Sequence, residues 1–194
     1  LGPAYAARMG FSAAELAYFM STTMAGGMVL QWPLGRLSDR IDRRWVLLVS
    51  GLAALGLAAT AALHLPNPGP LLYGCSFLLG GFTLSQYSIV VALIQDALDA
   101  DEVVPATGTI VLLCGLVSIA APILVSSAWV LVGREAFHGA IAVAMGLLAL
   151  VSLRGIFTSA PVDADQKAST AIQAAINPVG QVLLPDLEPG PAEP

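Results

Sequence analysis

Long stretches without a single charged residue are the feature of this sequence that most constrains its fold. Four such stretches contain 20, 51, 31 and 18 residues and cover positions 16–35, 45–95, 103–133 and 136–153. An α-helix rises about 1.5 Å per residue and the hydrocarbon core of a bilayer is about 30 Å thick, so about 20 residues cross it once. The longest stretch has room for two crossings. The four stretches together therefore predict five membrane-spanning helices.

The composition is that of a membrane protein. Hydrophobic residues make up 57% of the 194 positions and charged residues 11%, against roughly 45–50% and about 25% in soluble domains. Such an excess of apolar side chains also excludes disorder over most of the chain. The net charge of −5 comes mainly from residues 161–194, and no basic patch interleaved with aromatic residues indicates a nucleic-acid partner. Cys75 and Cys114 lie singly in apolar stretches, so we predict core residues there, no metal site and no cofactor.

Capping and turn residues give the bounds of the predicted spans. Ser12 and Glu15 have the spacing of a capping box at the start of the first helix. Trp32, followed by Gly35 and a run of charge, indicates its end at the membrane interface. Three prolines within residues 66–70 end the second span, because proline lacks a backbone donor and clashes within a helix. The predicted spans cover about residues 15–34, 45–63, 71–95, 105–131 and 136–153.

The distribution of Lys and Arg predicts the orientation, because these residues collect on the cytoplasmic side of a membrane. One side of the predicted bundle holds Arg36, Arg40, Arg43, Arg44, Arg154 and Lys167, whereas the other holds Arg8 and Arg134. We therefore expect the turn at residues 35–44 and the C-terminus to be cytoplasmic. The first span then enters from outside, so at least one helix is expected to precede residue 1.

The turn between the first two spans has the sequence GRLSDRIDRR at residues 35–44. A cytoplasmic anchor explains its arginines, but not the aspartates among them or the glycine at its start. The turn resembles the signature of the major facilitator superfamily, whose pattern is Gly, any, Leu, any, Asp, Arg, any, Gly, Arg, and Arg or Lys. The chain departs from this pattern at Asp42, where the family usually has glycine. The matching residues are Gly35, Leu37, Asp39, Arg40, Arg43 and Arg44.

The resemblance covers residues 1 to about 157 and implies an all-α multi-pass membrane protein. The family carries its signature twice in a bundle of twelve helices, and five spans that end inside match the second copy. The resemblance thus implies that the chain holds five transmembrane helices of a six-helix half. These would be family helices eight to twelve, and the N-terminal half is expected as a missing partner. Residues 2–6 and 30–36 look most like a bacterial branch of unknown substrate, which implies the cytoplasmic (inner) membrane.

Three regions follow from these patterns. Residues 1–13 are expected to be the external end of the preceding helix and its loop. Residues 14–157 are expected to form the C-terminal transmembrane bundle. Residues 158–194, rich in proline and acidic residues, are expected to be a largely disordered cytoplasmic tail.

Polar residues at helical spacing predict which helices face the interior. Tyr73, Ser76, Gly80, Thr83 and Tyr87 are separated by three or four positions and so share one face of the third span. Shorter stripes on the first and fourth spans include Thr23 and Ser118. The second and fifth spans have few polar residues and are expected to face lipid, with His138 at the interface or in solvent. The candidate substrate-cavity residues are Thr23, Tyr73, Thr83, Gln86, Tyr87 and Ser118.

Close helix packing is an open alternative for these stripes, since Gly, Ser and Thr also gather where membrane helices meet without a ligand. Gln86 and the Tyr87 side chain are bulkier and fit that alternative less well. Ionisable residues occur only at the edges of the predicted spans, as Glu15 and Asp96. Because such residues usually carry proton or ion coupling, any coupling groups are expected in the missing half.

The resemblance implies secondary active transport of a small solute by alternating access, in the lipid bilayer. The resemblance implies that residues 35–44 act as a cytoplasmic latch, in which Asp39 accepts hydrogen bonds from a helix of the opposite half. An enzyme is not expected, since the spans contain no nucleophile, base or metal-ligand set. A non-transporting membrane sensor or assembly subunit on the same scaffold is the alternative.

Overall fold

The computed structural model describes residues 2–64, 67–98 and 102–158, and these residues are almost entirely helical. An all-α fold is thereby confirmed for the described part of the chain. Most of the predicted tail, from residue 159 onwards, lies outside the described residues. The helices are α1 (Gly2–Arg8), α2 (Ala13–Arg40), α3 (Arg43–His64), α4 (Pro70–Gln95), α5 (Val103–Val132) and α6 (Ala136–Thr158), with a 3-10 turn at Gly133–Glu135.

Four of the described helices are long and apolar enough to cross a membrane. They are Arg43–Leu63, Pro70–Gln95, Val103–Val132 and Ala136–Thr158. α2 has 28 residues but is not among the four, since Thr22, Thr23 and Gln31 make its middle more polar. Four of the five predicted spans are thus confirmed in length and hydropathy, and the membrane crossing of α2 stays a prediction.

The start of α2 agrees with the prediction and its end does not. The Ser12 hydroxyl oxygen accepts from the Glu15 backbone N–H, and the Glu15 carboxylate accepts from the Ser12 N–H, which completes the capping box. The predicted helix end near residue 34 was wrong, because α2 continues through Pro33 to Arg40. The interfacial tryptophan and the charges mark the end of the apolar stretch, but backbone hydrogen bonding continues beyond it.

α2 and α4 form the main packed pair and run in the same direction. Phe19 lies beside Leu72 at one end, and Gln31 donates to Ser88 at 3.0 Å near the other. Glycines allow the two backbones to approach closely. A methyl group at Gly80 would overlap the Thr23 carbonyl oxygen, so close packing explains part of the predicted polar stripe.

α3 packs between α4 and α6, antiparallel to both. Small residues such as Ala54 and Ala58 are fully buried there beside Leu79 of α4. The prediction that α3 faces lipid is therefore wrong for the faces packed against α4 and α6, and it stays a prediction for the face on which Val49 and Leu52 are exposed. The lack of polar residues did not mark a peripheral helix, because alanine also serves as a close-packing residue. α5 instead is almost wholly exposed within the described chain.

The short α1 is held by aromatic contacts. Gly10, with a φ of 73°, turns the chain between α1 and α2. Tyr5 is buried, and its ring contacts five aromatic rings: Phe11, Phe19, Trp129, Phe137 and His138. This cluster joins α1 to α2, α5 and α6 at one end of the bundle.

Candidate functional site

The charged segment at residues 35–44 lies where α2 passes into α3. Its first six residues are the end of α2 rather than a loop, and its last two begin α3. Ile41 ends α2, with its N–H donating to the Leu37 carbonyl oxygen at 3.1 Å. The Asp42 carboxylate then accepts from the Arg44 N–H at 2.9 Å and so caps the start of α3. The two helices are therefore joined by a link of only two residues.

Arg43 is the centre of this segment. Its Nε donates to Asp96 Oδ2 at 2.7 Å, and its Nη1 donates to Asp39 Oδ1 and Ser38 Oγ, both at 2.9 Å. The guanidinium group thus connects the end of α2, the start of α3 and the end of α4. Arg43 and Ser38 are both buried.

The two carboxylates that hold Arg43 differ in exposure. The side chain of Asp96 is 7% exposed, whereas that of Asp39 is 66% exposed. An exposed pair four residues apart on a helix contributes only about 0.3–0.5 kcal/mol, but breaking a buried pair costs roughly 3–5 kcal/mol. Asp96 is therefore the structural partner of Arg43, and Asp39 keeps acceptor capacity for another group.

Sequence reasoning missed the role of Asp96. It was placed at the edge of a span, without a partner. The available signal was that Asp96 ends a predicted span on the same side of the membrane as the arginines of residues 35–44. Helices that lie side by side bring such end residues together.

The remaining matched residues have different surroundings. Arg44 Nη1 donates to the Gly155 carbonyl oxygen at 3.2 Å and so connects α3 to α6. Arg40 and Leu37 are exposed. A methyl group at Gly35 would meet no atom within 4 Å in the described structure. The turn itself is therefore built by Ile41, Asp42 and Arg43, without a glycine at position 42.

A second candidate site is a cavity of about 280 Å³ between α1, α2, α4 and α6. Of the predicted substrate-cavity residues, Thr23 and Thr83 line it. Ser76 and His138 line it as well. The Thr23 hydroxyl donates to the Phe19 carbonyl oxygen at 2.8 Å and the Thr83 hydroxyl to that of Leu79 at 2.7 Å. Their lone pairs stay available to accept from a ligand.

His138 corrects the sequence prediction of an interfacial or solvent position. It is 1% exposed, and its ring lies edge-on to Tyr5 with centroids 4.8 Å apart. Its position near the start of α6 suggested the interface, but α1 folds back over it. Sequence reasoning missed this contact because helix periodicity carries no information about which distant aromatic residue covers a helix end.

The other predicted cavity residues are not brought together. Tyr73 is partly buried, with its ring centroid 6.1 Å from that of Tyr18. Tyr87 and Ser118 are exposed, and the Ser118 hydroxyl donates to the Cys114 carbonyl oxygen. Gln86 is 3% exposed, and neither atom of its amide has a hydrogen-bond partner among the described residues.

Comparison with known proteins places these features in a family. The family model described as Major Facilitator Superfamily matches residues 1–187. An uncharacterized MFS-type transporter of Yersinia pestis is 30% identical over 125 residues, which are 64% of this chain and 31% of that protein. YfkF of Bacillus subtilis, also named an uncharacterized MFS-type transporter, is 34% identical over 114 residues, or 59% and 28% of the two chains. No solved structure matches significantly.

The YcaD protein of Escherichia fergusonii carries the same description and is 33% identical over 106 residues, which are 54% of this chain and 26% of that protein. The chain thus spans about a third or less of the length of these relatives. The family model covers nearly all of it, including the charged segment and all the described helices. On this evidence the chain belongs to the major facilitator superfamily, a family of membrane transporters and not of enzymes.

Proposed function

We propose that this chain is part of a secondary transporter that moves a small solute across the cytoplasmic membrane by alternating access. The observation that carries the proposal is the position of Arg43, which joins α2, α3 and α4 while Asp39 remains exposed beside it. In such transporters two bundles rock about a site near the bilayer midplane. The rest of the protein supplies the opposite bundle.

Residues 35–44 act in this proposal as a cytoplasmic latch. Arg43 and Asp96 hold the ends of α2, α3 and α4 as one rigid unit. The exposed Asp39 carboxylate accepts hydrogen bonds from the start of a helix in the opposite bundle, where unpaired N–H groups and the positive end of the helix dipole favour an anion. The positions of the arginines support a cytoplasmic location for this segment and for the C-terminus.

The substrate contacts are proposed to come from α2, α4 and α5. Thr23 and Thr83 line the cavity, Tyr87 is exposed on α4, and Ser118 is exposed on α5. Hydroxyl and phenol groups suit a small polar solute, and any coupling proton or ion would use ionisable groups elsewhere in the protein.

Flux through the intact protein tests the proposal. The purified protein is reconstituted into vesicles and incubated with a defined mixture of sugars, amino acids, nucleosides and organic cations. Mass spectrometry then measures which solutes enter faster than in protein-free vesicles. Entry of at least one solute supports transport. Binding of a solute without entry would support the alternative of a membrane sensor or assembly subunit.

A further inference from the structure

An apolar groove separates α2 from α3 beside the charged segment. It has a volume of about 320 Å³, within the roughly 300–1,000 Å³ of ligand sites. Its one hydroxyl group, on Ser50, donates to the Val46 carbonyl oxygen and so adds little polarity to the groove. The lining includes Leu34, Leu37 and Ile41 of α2, Trp45 and Val49 of α3, and Phe82 of α4.

The groove extends from the charged segment into the apolar part of the bundle. Ile41 lies at the end of α2, and Leu34 lies seven residues earlier, or about 10 Å along the helix. Trp45 is half-exposed beside Ile41, and tryptophan is enriched at the level of the lipid headgroups. The next exposed residues of α3 are apolar, including Val49 and Leu52. The groove therefore begins at the membrane interface and opens onto an apolar surface.

Two cationic residues belong to the last two turns of α2, at the same height as the interfacial end of this groove. Arg36 and Arg40 are one helical turn apart and directly precede the groove residues Leu37 and Ile41 in sequence. Within the described part of the chain neither forms a salt bridge, and Arg36 lies over the Trp32 ring at 5.4 Å. Of the nearby carboxylates, Asp39 pairs with Arg43 and Asp42 accepts from the Arg44 N–H.

We propose that this groove binds a glycerophospholipid with an anionic headgroup. One acyl chain lies between α2 and α3, and the phosphate lies against Arg36 and Arg40. The apolar lining explains affinity for the acyl chain. The Arg36 and Arg40 guanidinium groups, which form no salt bridge within the described residues, explain the preference for anionic over zwitterionic lipid. Basic pockets between membrane helices are a known way of binding such headgroups. This inference needs the membrane but does not depend on transport.

Lipid retention by the intact protein tests this inference. The protein is purified, equilibrated with dioleoyl phosphatidylglycerol and dioleoyl phosphatidylcholine in equal amounts, and examined by native mass spectrometry. We expect preferential retention of phosphatidylglycerol. Arg36→Gln and Arg40→Gln should each lower this preference about fivefold. Arg154→Gln removes the same charge from the end of α6, which lies at the same end of the bundle, and should leave the preference unchanged.

A second pair of variants tests the groove separately from the charges. Val49→Trp fills the groove and should reduce retention of both lipids, whereas Val151→Trp on the exposed face of α6 should not. Equal retention of the two lipids by the unmodified protein would overturn the inference, as would equal losses in Arg40→Gln and Arg154→Gln. If a helix of the rest of the protein covers the groove, Val49→Cys will resist a lipid-soluble maleimide, and the inference is also wrong.

Discussion

At the residue scale, the Gln86 amide is the polar group whose burial is hardest to explain by packing. Gln86 lies seven residues after Leu79 and three before Ile89, which both pack against α3. Leaving a buried amide without a hydrogen bond costs about 1–3 kcal/mol. A glutamine buried at such a cost is expected to form hydrogen bonds with water, substrate or another part of the protein during the proposed transport cycle.

We predict that Gln86→Leu leaves the free energy of unfolding unchanged or raises it by about 1–2 kcal/mol, while solute flux in vesicles falls. Leucine fills a similar volume without an unpaired polar group. Ser85→Ala is the matched control, since the neighbouring Ser85 hydroxyl already donates to the Gly81 carbonyl oxygen at 2.6 Å. A lower unfolding temperature for Gln86→Leu would mean that the amide has a partner within the folded protein.

The buried salt bridge gives a prediction about folding. Asp96→Asn leaves the Arg43 guanidinium buried beside a neutral amide, so we expect stability to fall by roughly 3–5 kcal/mol. The measurement is the unfolding temperature and the yield of monodisperse protein in detergent. Asp42→Asn is the control, because asparagine also caps a helix start well. Equal stability of the two variants would show that the Arg43–Asp96 pair does not hold α4.

Single residues show where sequence reasoning ends. The signature at residues 35–44 predicts a role for Arg43, because its spacing from Gly35 and Asp39 is a property of the sequence itself. Its connection to Asp96, 53 residues away, depends on how α3 and α4 pack. His138 shows the same limit, since its burial under Tyr5 is set by a helix at the other end of the chain.

At the element scale, the α2–α4 interface depends on glycine. A methyl group at Gly80 would overlap the Thr23 carbonyl oxygen, whereas one at Gly74 of the same helix would meet nothing within 4 Å. Backbone atoms cannot move aside as a flexible side chain can. A comparison of substitutions at Gly80 and Gly74 therefore separates the role of glycine in helix packing from its general effect on helix stability.

We predict that Gly80→Ala destabilises the protein by about 1–3 kcal/mol through overpacking. Gly74→Ala should instead be neutral or stabilising by about 0.5–1 kcal/mol, since alanine favours the helix. Thermal unfolding of the detergent-solubilised protein measures both. If Gly80→Ala is as stable as Gly74→Ala, α2 and α4 are further apart than the structure indicates.

The helices themselves were largely predictable from the sequence, but their neighbours were not. Uncharged length predicts α3 to α6, and the Ser12 capping box predicts the start of α2, because both depend on local chemistry. The continuation of α2 beyond Pro33 was missed, since a proline costs one hydrogen bond without always ending a helix. The choice of α3 as the central helix was missed because alanine-rich faces suit both lipid and helix contacts.

At the scale of the whole molecule, predicted cavity residues and helix-packing residues are expected to differ in their exposure to water. Thr83 lines the cavity near α1, and Tyr87 lies on the exposed side of α4. Leu57 and Leu148 pack among α3, α4 and α6. In the intact transporter, water in the central cavity is expected to reach Thr83 and Tyr87 but not Leu57 and Leu148.

Cysteine labelling measures this difference. Thr83→Cys and Tyr87→Cys should react with a water-soluble maleimide in intact membranes, and Leu57→Cys and Leu148→Cys should not. The background thiols Cys75 and Cys114 are first replaced by serine and alanine. Labelling at Tyr87 alone would mean that protein fills the cavity beside Thr83. Equal labelling at all four positions would contradict the assignment of α4 to the cavity.

The proposed latch concerns the balance between two conformations of the whole transporter. Hydrogen bonds to a charged group contribute about 1.5–3 kcal/mol, and the conformations of such a protein differ by only a few kcal/mol. If Asp39 makes the proposed contact with the opposite bundle, its loss is expected to change their ratio tenfold or more. Folding should be little affected, because Arg43 keeps Asp96 and Ser38 as partners and the Asp39 pair is exposed.

We predict that Asp39→Asn retains near-normal expression and stability, transports more slowly, and shifts the resting population toward the inward-facing state. Asparagine keeps the shape of the side chain but loses the charge that attracts a helix N-terminus. The measurement is the ratio of maleimide labelling from the cytoplasmic and external sides at a cysteine in the central cavity. Asp42→Asn, in the same turn, should leave that ratio unchanged. Acidic residues contribute little to membrane orientation, so this substitution tests the latch without changing the topology. If Asp39→Asn leaves both the rate and the ratio unchanged, residues 35–44 serve only as a cytoplasmic anchor.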